Sequence, residues 1–381
     1  MKKQVCFLLA LLMILIGCPA LADVGDTPDT AIAITPGQAV TGSLVSDRDE
    51  DYYKLTLPAD GMIYIGFLHD YVDSNKIYWK IDILDSGLHP YCTTQWWGDT
   101  LGERESRKLG LAAGTYYIHV YSLYYSPASY TMTVYYTPSD AWEKEWNNTP
   151  VDATTIAVNK EYSGALTMED DVDEYQFTIP SDGLITLGFM HEYIDSTKNY
   201  WTIEILDSYK NVYLTRSFTG DAMVEKKTCN VGLPAGTYFL KIEPFFWSRT
   251  PYTFNLYYEP STVFETEINN TPPQADTILL NTWYSGAIVD EDDKDYYGFE
   301  LARQSQVSLS FKHKYIDSDH TYWVVRIIDI NGNEQLNIGF RGNGAQDYTT
   351  DPITLGPGTY FVHVDDSYFS SSTYQFMIGA R

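Results

Sequence analysis

The sequence predicts an all-β protein of three tandem antiparallel β-sandwich modules. Three observations carry that prediction. One offset of 122 residues aligns every landmark of the chain. Within a copy, apolar and polar residues alternate over short runs. Turn signals recur roughly every ten residues, with no convincing amphipathic helix between them.

The chain divides in order. Residues 1–22 read as a secretion leader, opened by Lys2 and Lys3, with a 12-residue apolar run from Val5 to Ile16 and a small-x-small cleavage site at Ala20-Leu21-Ala22. That run is too short to span a bilayer, and no later apolar stretch is long enough. Within it, Leu15-Ile16-Gly17-Cys18 looks like a bacterial lipoprotein box, which would make Cys18 a lipid-anchored first residue. Simple secretion is preferred, because Pro19 follows that cysteine and no polar tether precedes the first module. The expected location is secreted or cell surface.

Cleavage after Ala22 leaves 359 of 381 residues, divided into modules 23–140, 141–262 and 263–381, each of ordinary domain size. Tyr162-Ser163-Gly164-Ala165 recurs as Tyr284-Ser285-Gly286-Ala287, and more weakly as Val40-Thr41-Gly42-Ser43. Asp51-Tyr52-Tyr53, Asp173-Glu174-Tyr175 and Asp295-Tyr296-Tyr297 are spaced by 122 residues. The same spacing relates Tyr78-Trp79, Tyr200-Trp201 and Tyr322-Trp323, and also Gly114-Thr115-Tyr116, Gly236-Thr237-Tyr238 and Gly358-Thr359-Tyr360.

In the second copy, Glu174 to Ile179 alternates and Ser181-Asp182-Gly183 turns the chain. Leu184 to His191 and Trp201 to Leu206 read as further strands. Asp207-Ser208-Tyr209-Lys210-Asn211 reads as a hairpin turn, as does Asp329-Ile330-Asn331-Gly332-Asn333. Strands from Gly236 to Ile242 and from Tyr252 to Tyr258 complete the copy. About eight short strands per copy favour two packed antiparallel sheets. The 33 tyrosines suit half-exposed strands, where the ring packs and the hydroxyl stays wet.

The formal charge is −26, and loss of Lys2 and Lys3 makes it −28. Such a surface repels nucleic acid and anionic lipid and attracts cations. Only Cys92 and Cys229 survive cleavage, in different modules and at non-equivalent positions, so no disulfide framework is expected.

One constellation stands out. Glu143-Lys144-Glu145-Trp146-Asn147-Asn148-Thr149-Pro150 precedes the second module, and Glu265-Thr266-Glu267-Ile268-Asn269-Asn270-Thr271-Pro272 precedes the third. Each is followed, 22 residues after its second Asn, by an acidic turn: Asp170-Asp171-Val172-Asp173 and Asp292-Asp293-Lys294-Asp295. An extended Glu-x-Glu-x-Asn places alternate side chains on one face. Beside the turn, these would gather hard oxygen ligands around one point. Ca²⁺ takes about six to eight such oxygens, and so many carboxylates are costly without a counter-ion. The plain alternative is a solvated acidic turn beside an ordinary linker. Asn147-Asn148-Thr149 and Asn269-Asn270-Thr271 also match a glycosylation acceptor.

These motifs, with the Asp-x-Tyr and Ala-Gly-Thr-Tyr phrases, resemble the bacterial pre-peptidase C-terminal domain family. The calcium- and collagen-binding domains of bacterial collagenases belong to that family. The resemblance covers all three modules and implies a jelly-roll-like sandwich, with Ca²⁺ clamped between the leading linker and a strand-edge turn. Carried over by position, the ligands would be Glu143, Glu145, Asn147, Asn148, Asp170 or Asp171, and Asp173. In the third module they would be Glu265, Glu267, Asn269, Asn270, Asp292 or Asp293, and Asp295. The first module keeps Asp49 and Asp51, but its linker offers only Asp23 and Asp26, so a full site is not expected there.

His69, His191 and His313 recur with Asp73, Asp195 and Asp317 four residues later. A His–Asp pair can serve acid–base or metal chemistry. The favoured reading is a strand-end histidine hydrogen-bonded to the turn acid. The sequence shows no nucleophile elbow, no framed catalytic cysteine and no phosphate-binding glycine loop, and no enzymatic activity is expected. Before each last strand lies an aromatic segment, offering Tyr124 and Tyr125, then Phe245, Phe246 and Trp247, then Tyr368 and Phe369. These rings could form a ligand platform, or fold over the end of the sandwich. Trp96 and Trp97 are a weaker candidate of the same kind. The expected function is a non-catalytic Ca²⁺-binding protein that holds an extracellular polymer, either a collagen-like fibrous protein or a polysaccharide, through repeated modules. The alternative is a structural spacer or surface-layer component with no polymer ligand.

Overall fold

The computed structural model describes residues 25–381, and the leader, Cys18 and Asp23 lie outside the described residues. Among the described residues there are thirty strands, two short 3-10 turns at Pro28–Thr30 and Pro272–Gln274, and no α-helix. None of the helical segments is long and apolar enough to cross a membrane. The strands form three repeated pairs of five-stranded sheets, so each copy is a β-sandwich.

The second module shows the plan. One sheet runs in the order Thr154–Thr155, Asp173–Ile179, Gly236–Pro244, Asn199–Asp207, Val212–Thr219. The facing sheet runs Glu161–Gly164, Tyr252–Pro260, Gly183–His191, Lys226–Lys227, with Val231–Leu233 also on Gly183–His191. Every long strand expected from alternation is present. The short ones escape a periodicity argument, because two residues define no period. All the pairings are antiparallel except the first, where Thr154 and Thr155 run parallel to Tyr175 and Gln176.

Alternation explains the core. Ile185, Leu187 and Phe189 point inward from one strand, opposite Trp201, Ile203 and Ile205 from the other sheet, all fully buried. Phe189 packs on Trp201 at 5.6 Å and on Phe218 at 4.6 Å between ring centroids. Each such side chain contributes about 1.5–3 kcal/mol on burial. The Asp207 turn closes through the Asp207 carboxylate, which accepts from the Tyr209 and Asn211 amides at 2.8 and 2.9 Å. Lys210 there sits at φ 68°, and Gly332 at φ 80° in the matching third-module turn.

The described chain forms two compact units. One comprises most of the first module, up to Ala59 and over 63–107 and 113–137, and the other comprises 60–62, 108–112 and 138–381. The second and third modules therefore share one unit. The second module's core even takes in Val289, from the acidic turn of the third. Cys92 and Cys229 are both buried.

Candidate metal centres

The leading linkers are fixed by backbone pairing. Trp142 bridges in parallel to Ser163, and Phe264 to Ser285. The Glu143 amide donates to Ser163 O and the Glu265 amide to Ser285 O, both at 2.9 Å. Further along, Asn147 O accepts from the Glu174 amide at 2.9 Å, and Asn269 O from the Tyr296 amide at 3.1 Å. These contacts pin each linker across the start of the acidic strand, so that alternate side chains face the turn.

The result is one buried carboxylate cluster per linker. Oxygens of Glu143, Glu145 and Asp173 lie within 4.8 Å of one another, as do those of Glu265, Glu267 and Asp295. Asn147 and Asn269 are fully buried. The turn contributes Asp171 and Asp293. Asp171 Oδ2 accepts from the Thr167 amide at 2.5 Å, and Asp293 Oδ2 from the Val289 amide at 2.6 Å. Asp170 and Asp292, offered as alternatives by position, are exposed and fall outside the clusters, because the turn directs its second acid inward. With its amide nitrogen turned toward these acceptors, Asn270 donates to Asp293 Oδ1 at 2.9 Å and to Lys294 O at 3.1 Å, whereas Asn148 Oδ1 is buried without a hydrogen-bond partner.

Two tyrosines per cluster complete the floor, and these were not singled out from the sequence as site residues. Glu143 Oε1 accepts from the Ala165 amide at 2.7 Å and Oε2 from the Tyr175 hydroxyl at 2.9 Å. Tyr252 donates to Asp173 Oδ2 and meets the Tyr175 hydroxyl at 2.7 Å. Glu265, Ala287, Tyr297, Tyr374 and Asp295 repeat the arrangement. The signal was present in the repeat itself, since Tyr53, Tyr175 and Tyr297 recur at the common offset, as do Tyr130, Tyr252 and Tyr374. The glycine of the Tyr-Ser-Gly-Ala phrase must be small. A Cβ at Gly164 would lie 2.4 Å from Glu143 Oε2 and from the Tyr175 hydroxyl, and 2.5 Å from that of Tyr252.

Electrostatically the clusters are incomplete. Burial, followed by the charges of Asp173, Glu145 and Asp171, pushes Glu143 well above the usual carboxylate range. Burial does the same to Glu145, Asp173, Glu267 and Asp295, reinforced by the neighbouring carboxylates. Burial and the Asp293 charge raise Glu265 to about 8. Both Glu145 carboxylate oxygens, Asn147 Oδ1, Asp171 Oδ1 and Asp173 Oδ1 are buried without a hydrogen-bond partner, and so are Glu267 Oε1, Asn269 Oδ1 and Asp295 Oδ1. Buried carboxylate oxygens gathered within 4.8 Å of one another, with partnerless acceptors among them, fit a hard cation. In the first module, Asp49 and Asp51 occupy the corresponding turn, and Tyr130 donates to Asp51 while meeting Tyr53 at 2.7 Å. Gly25 O takes the place of the Asn carbonyl, accepting from the Tyr52 amide at 2.7 Å.

The other candidates separate clearly. His191 is buried on Trp201, at 4.2 Å between rings, with its nitrogens facing Glu192 O and Thr219 O at 2.8 and 2.9 Å. His69 and His313 face the carbonyls of Asp70 and Lys314. The expected bond to the turn acid is corrected. Asp73, Asp195 and Asp317 instead accept from Tyr71, Tyr193 and Tyr315, since the buried rings meet backbone carbonyls first.

In the aromatic segments, Phe245, Phe246, Tyr124, Tyr125 and Tyr368 are exposed. Trp247 and Phe369 turn inward onto their module cores, and Trp247 Nε1 donates to Leu166 O at 3.2 Å. Trp96 is core, packed on Phe67 at 4.8 Å, while Trp97 is exposed.

Fold and site together define an array of tandem β-sandwich modules, two of which carry a buried acidic cluster that could hold a metal ion. No family model matches the chain. Among solved structures it is similar to the pre-peptidase C-terminal domain of collagenase from Bacillus anthracis, at 22% identity over 29% of this chain and 99% of that one, with a TM-score of 0.24. It is also similar to the CUB1-EGF-CUB2 domains of rat MASP-1, at 10% identity over 58% of this chain and 99% of that one, TM-score 0.18. A triple jelly roll from an archaeal virus turret assembly matches at 9% identity over 92% of this chain and 83% of that one, TM-score 0.22.

Proposed function

We propose that this chain is a secreted or surface-held, non-catalytic binding protein of the pre-peptidase C-terminal type, whose second and third modules each hold Ca²⁺. The observation that supports this reading is the set of buried, partnerless carboxylate and amide oxygens at each linker. Uncompensated buried charge costs several kcal/mol per ion, so the clusters call for a cation. The donor set is all oxygen, without His or Cys. That composition suits Ca²⁺, which accepts flexible oxygen cages, over Zn²⁺, and over Mg²⁺, which keeps much of its water. Two oxygens about 2.4 Å from one Ca²⁺ lie at most about 4.8 Å apart, and the three carboxylate oxygens of each cluster meet that limit. Glu143, Glu145, Asn147, Asp171 and Asp173 would hold the ion in the second module, and Glu265, Glu267, Asn269, Asp293 and Asp295 in the third.

The exposed rings of the aromatic segments would supply the binding function. Tyr124, Phe246 and Tyr368 occupy one repeat position. Each lies near a tyrosine and a basic or imidazole side chain: Tyr78 and Lys76, Tyr200 and Lys198, Tyr322 and His320. Three weak platforms on one chain suit an extended extracellular polymer held by avidity. The spacer reading draws on the third-module turn packed into the second core, which favours a stiff array. Titration calorimetry with Ca²⁺ tests the metal, with one event expected for each of the two modules. A Glu145→Ala, Asp173→Ala chain that still shows both events would sink the assignment. Retention on collagen, cellulose or peptidoglycan tests the polymer, and retention on none of them would favour the spacer.

A further inference from the structure

Both halves of the third-module cluster are backed by the second module. On the linker side, the Glu267 amide donates to Gly232 O at 2.9 Å. Gly232 is packed so tightly there that a Cβ would fall 1.8 Å from Glu265 O. On the turn side, Arg216 Nη2 donates to Val289 O and to Cys229 Sγ, the latter at 3.2 Å. The Val289 amide in turn donates to Asp293 Oδ2, and the Val289 side chain lies in the second module's core. Arg216 is peculiar to this copy, since positions 122 residues earlier and later hold Thr94 and Ile338. It therefore serves this junction and is not a requirement of the shared sandwich.

We propose that the third acidic cluster is a joint site of two modules, in which cation occupancy is coupled to the docking of the third module on the second through Arg216 and Gly232. The inference rests on the calcium reading. A cation draws Glu265 and Glu267 toward Asp293 and Asp295. The linker is anchored on Gly232 and the turn on Arg216, so the same pull closes the junction. Without the cation, repulsion between the two halves strains both anchors. Coupling of this kind is reciprocal, so an intact junction must raise the affinity of the cluster. Arg216 acts here as a positioning residue, one step removed from the ion.

Cys229 is a native reporter, buried at the junction, and Cys92 in the first module is its internal control. Labelling of the full chain with a thiol reagent is expected to slow at Cys229 by about tenfold on adding Ca²⁺, with little change at Cys92. In an Asp295→Asn chain, whose second-module cluster is intact, that protection of a second-module thiol is expected to vanish. Calorimetry in an Asp173→Asn background isolates the third cluster. There Arg216→Met, which keeps the apolar stem, is expected to weaken Ca²⁺ binding about tenfold, and Arg216→Lys to recover part of the loss. Arg216→Met in an Asp295→Asn background is expected to leave the second cluster unchanged, separating this role from general stability. Persistent calcium protection of Cys229 in Asp295→Asn, or unaltered affinity in Arg216→Met, would overturn the coupling and leave the calcium reading standing. Absence of any calcium event in the unmodified chain would overturn both.

Discussion

Tyr175 and Tyr252 join hydroxyls at 2.7 Å beneath the second-module cluster, and between them they serve Glu143 and Asp173. Each hydroxyl has one proton. Tyr252 gives its proton to Asp173, so Tyr175 must divide its own between Glu143 and Tyr252. The floor therefore leaves the acids short of donors, and the deficit falls where a cation would sit. Tyr252→Phe removes one donor from a buried carboxylate, a loss of about 1–3 kcal/mol. The calcium-loaded chain is expected to melt at lower temperature, with weaker Ca²⁺ binding in the second module only. Equal melting and equal affinity would show the tyrosine pair to be mere packing.

Stability should fall with rising pH without calcium and lose that fall when calcium is bound. Glu265 is raised from 4.5 to about 8, first by burial and then by the Asp293 charge. Between those values the folded chain keeps a proton that the unfolded chain has released, so stability falls as pH rises through that window. Asp293, raised by burial from 3.8 to about 6, adds the same sign lower in the range. In chelator, melting temperature is expected to drop from about pH 5 to about pH 8, and a Glu265→Gln chain to show a shallower drop. Saturating Ca²⁺ selects the ionised acids and should remove the drop. Melts at several pH values with and without chelator decide it, and a chelated chain that gains stability toward pH 8 contradicts the cluster electrostatics.

How far the sequence foretold these features depended on what each one rests upon. Long strands such as Gly183–His191 were legible because alternation of side chains is a direct consequence of the pleat. The parallel Thr154–Thr155 pair was not, because it depends on where the linker docks. Glu143, Glu145 and Asp173 were legible because a charge pattern repeated at one offset is hard to explain as a solvated surface. The choice of Asp171 over Asp170 rests on turn conformation, fixed by the Thr167 amide and hydroxyl. Tyr175 and Tyr252 were hidden by abundance, since in a chain with 33 tyrosines a buried ring reads first as packing. The histidines misled for a related reason: proximity in sequence to an acid does not say which way a buried ring turns.

The glycine of the Tyr-Ser-Gly-Ala phrase gives a test confined to one module at a time. Gly286→Ala places a Cβ 2.4 Å from Glu265 Oε2 and the Tyr297 hydroxyl, and 2.5 Å from that of Tyr374. Overpacking of this kind costs about 1–3 kcal/mol, and here the displaced groups are the cluster itself. Calorimetry on Gly286→Ala should lose the third-module calcium event and keep the second. Gly356→Ala, where a Cβ meets nothing within 4 Å, should keep both. Loss of the second-module event in Gly286→Ala, or retention of both, would contradict the geometry.

The aromatic segments divide into rings that hold the module and rings that face outward, and substitution should separate the two. Trp247 packs on the second core and donates to Leu166 O. Trp247→Ala is therefore expected to lower stability by about 1–3 kcal/mol, through lost burial and an unpaired carbonyl. Phe245 and Phe246 are exposed, so Phe245→Ser, Phe246→Ser should leave the melting temperature within about 3 degrees. If these rings contact the polymer, the same chain should be retained less. The loss should grow steeply when Tyr124→Ser and Tyr368→Ser are added, because avidity multiplies weak sites. Retention that falls only in step with stability, and only in Trp247→Ala, would assign the outward rings no part in binding.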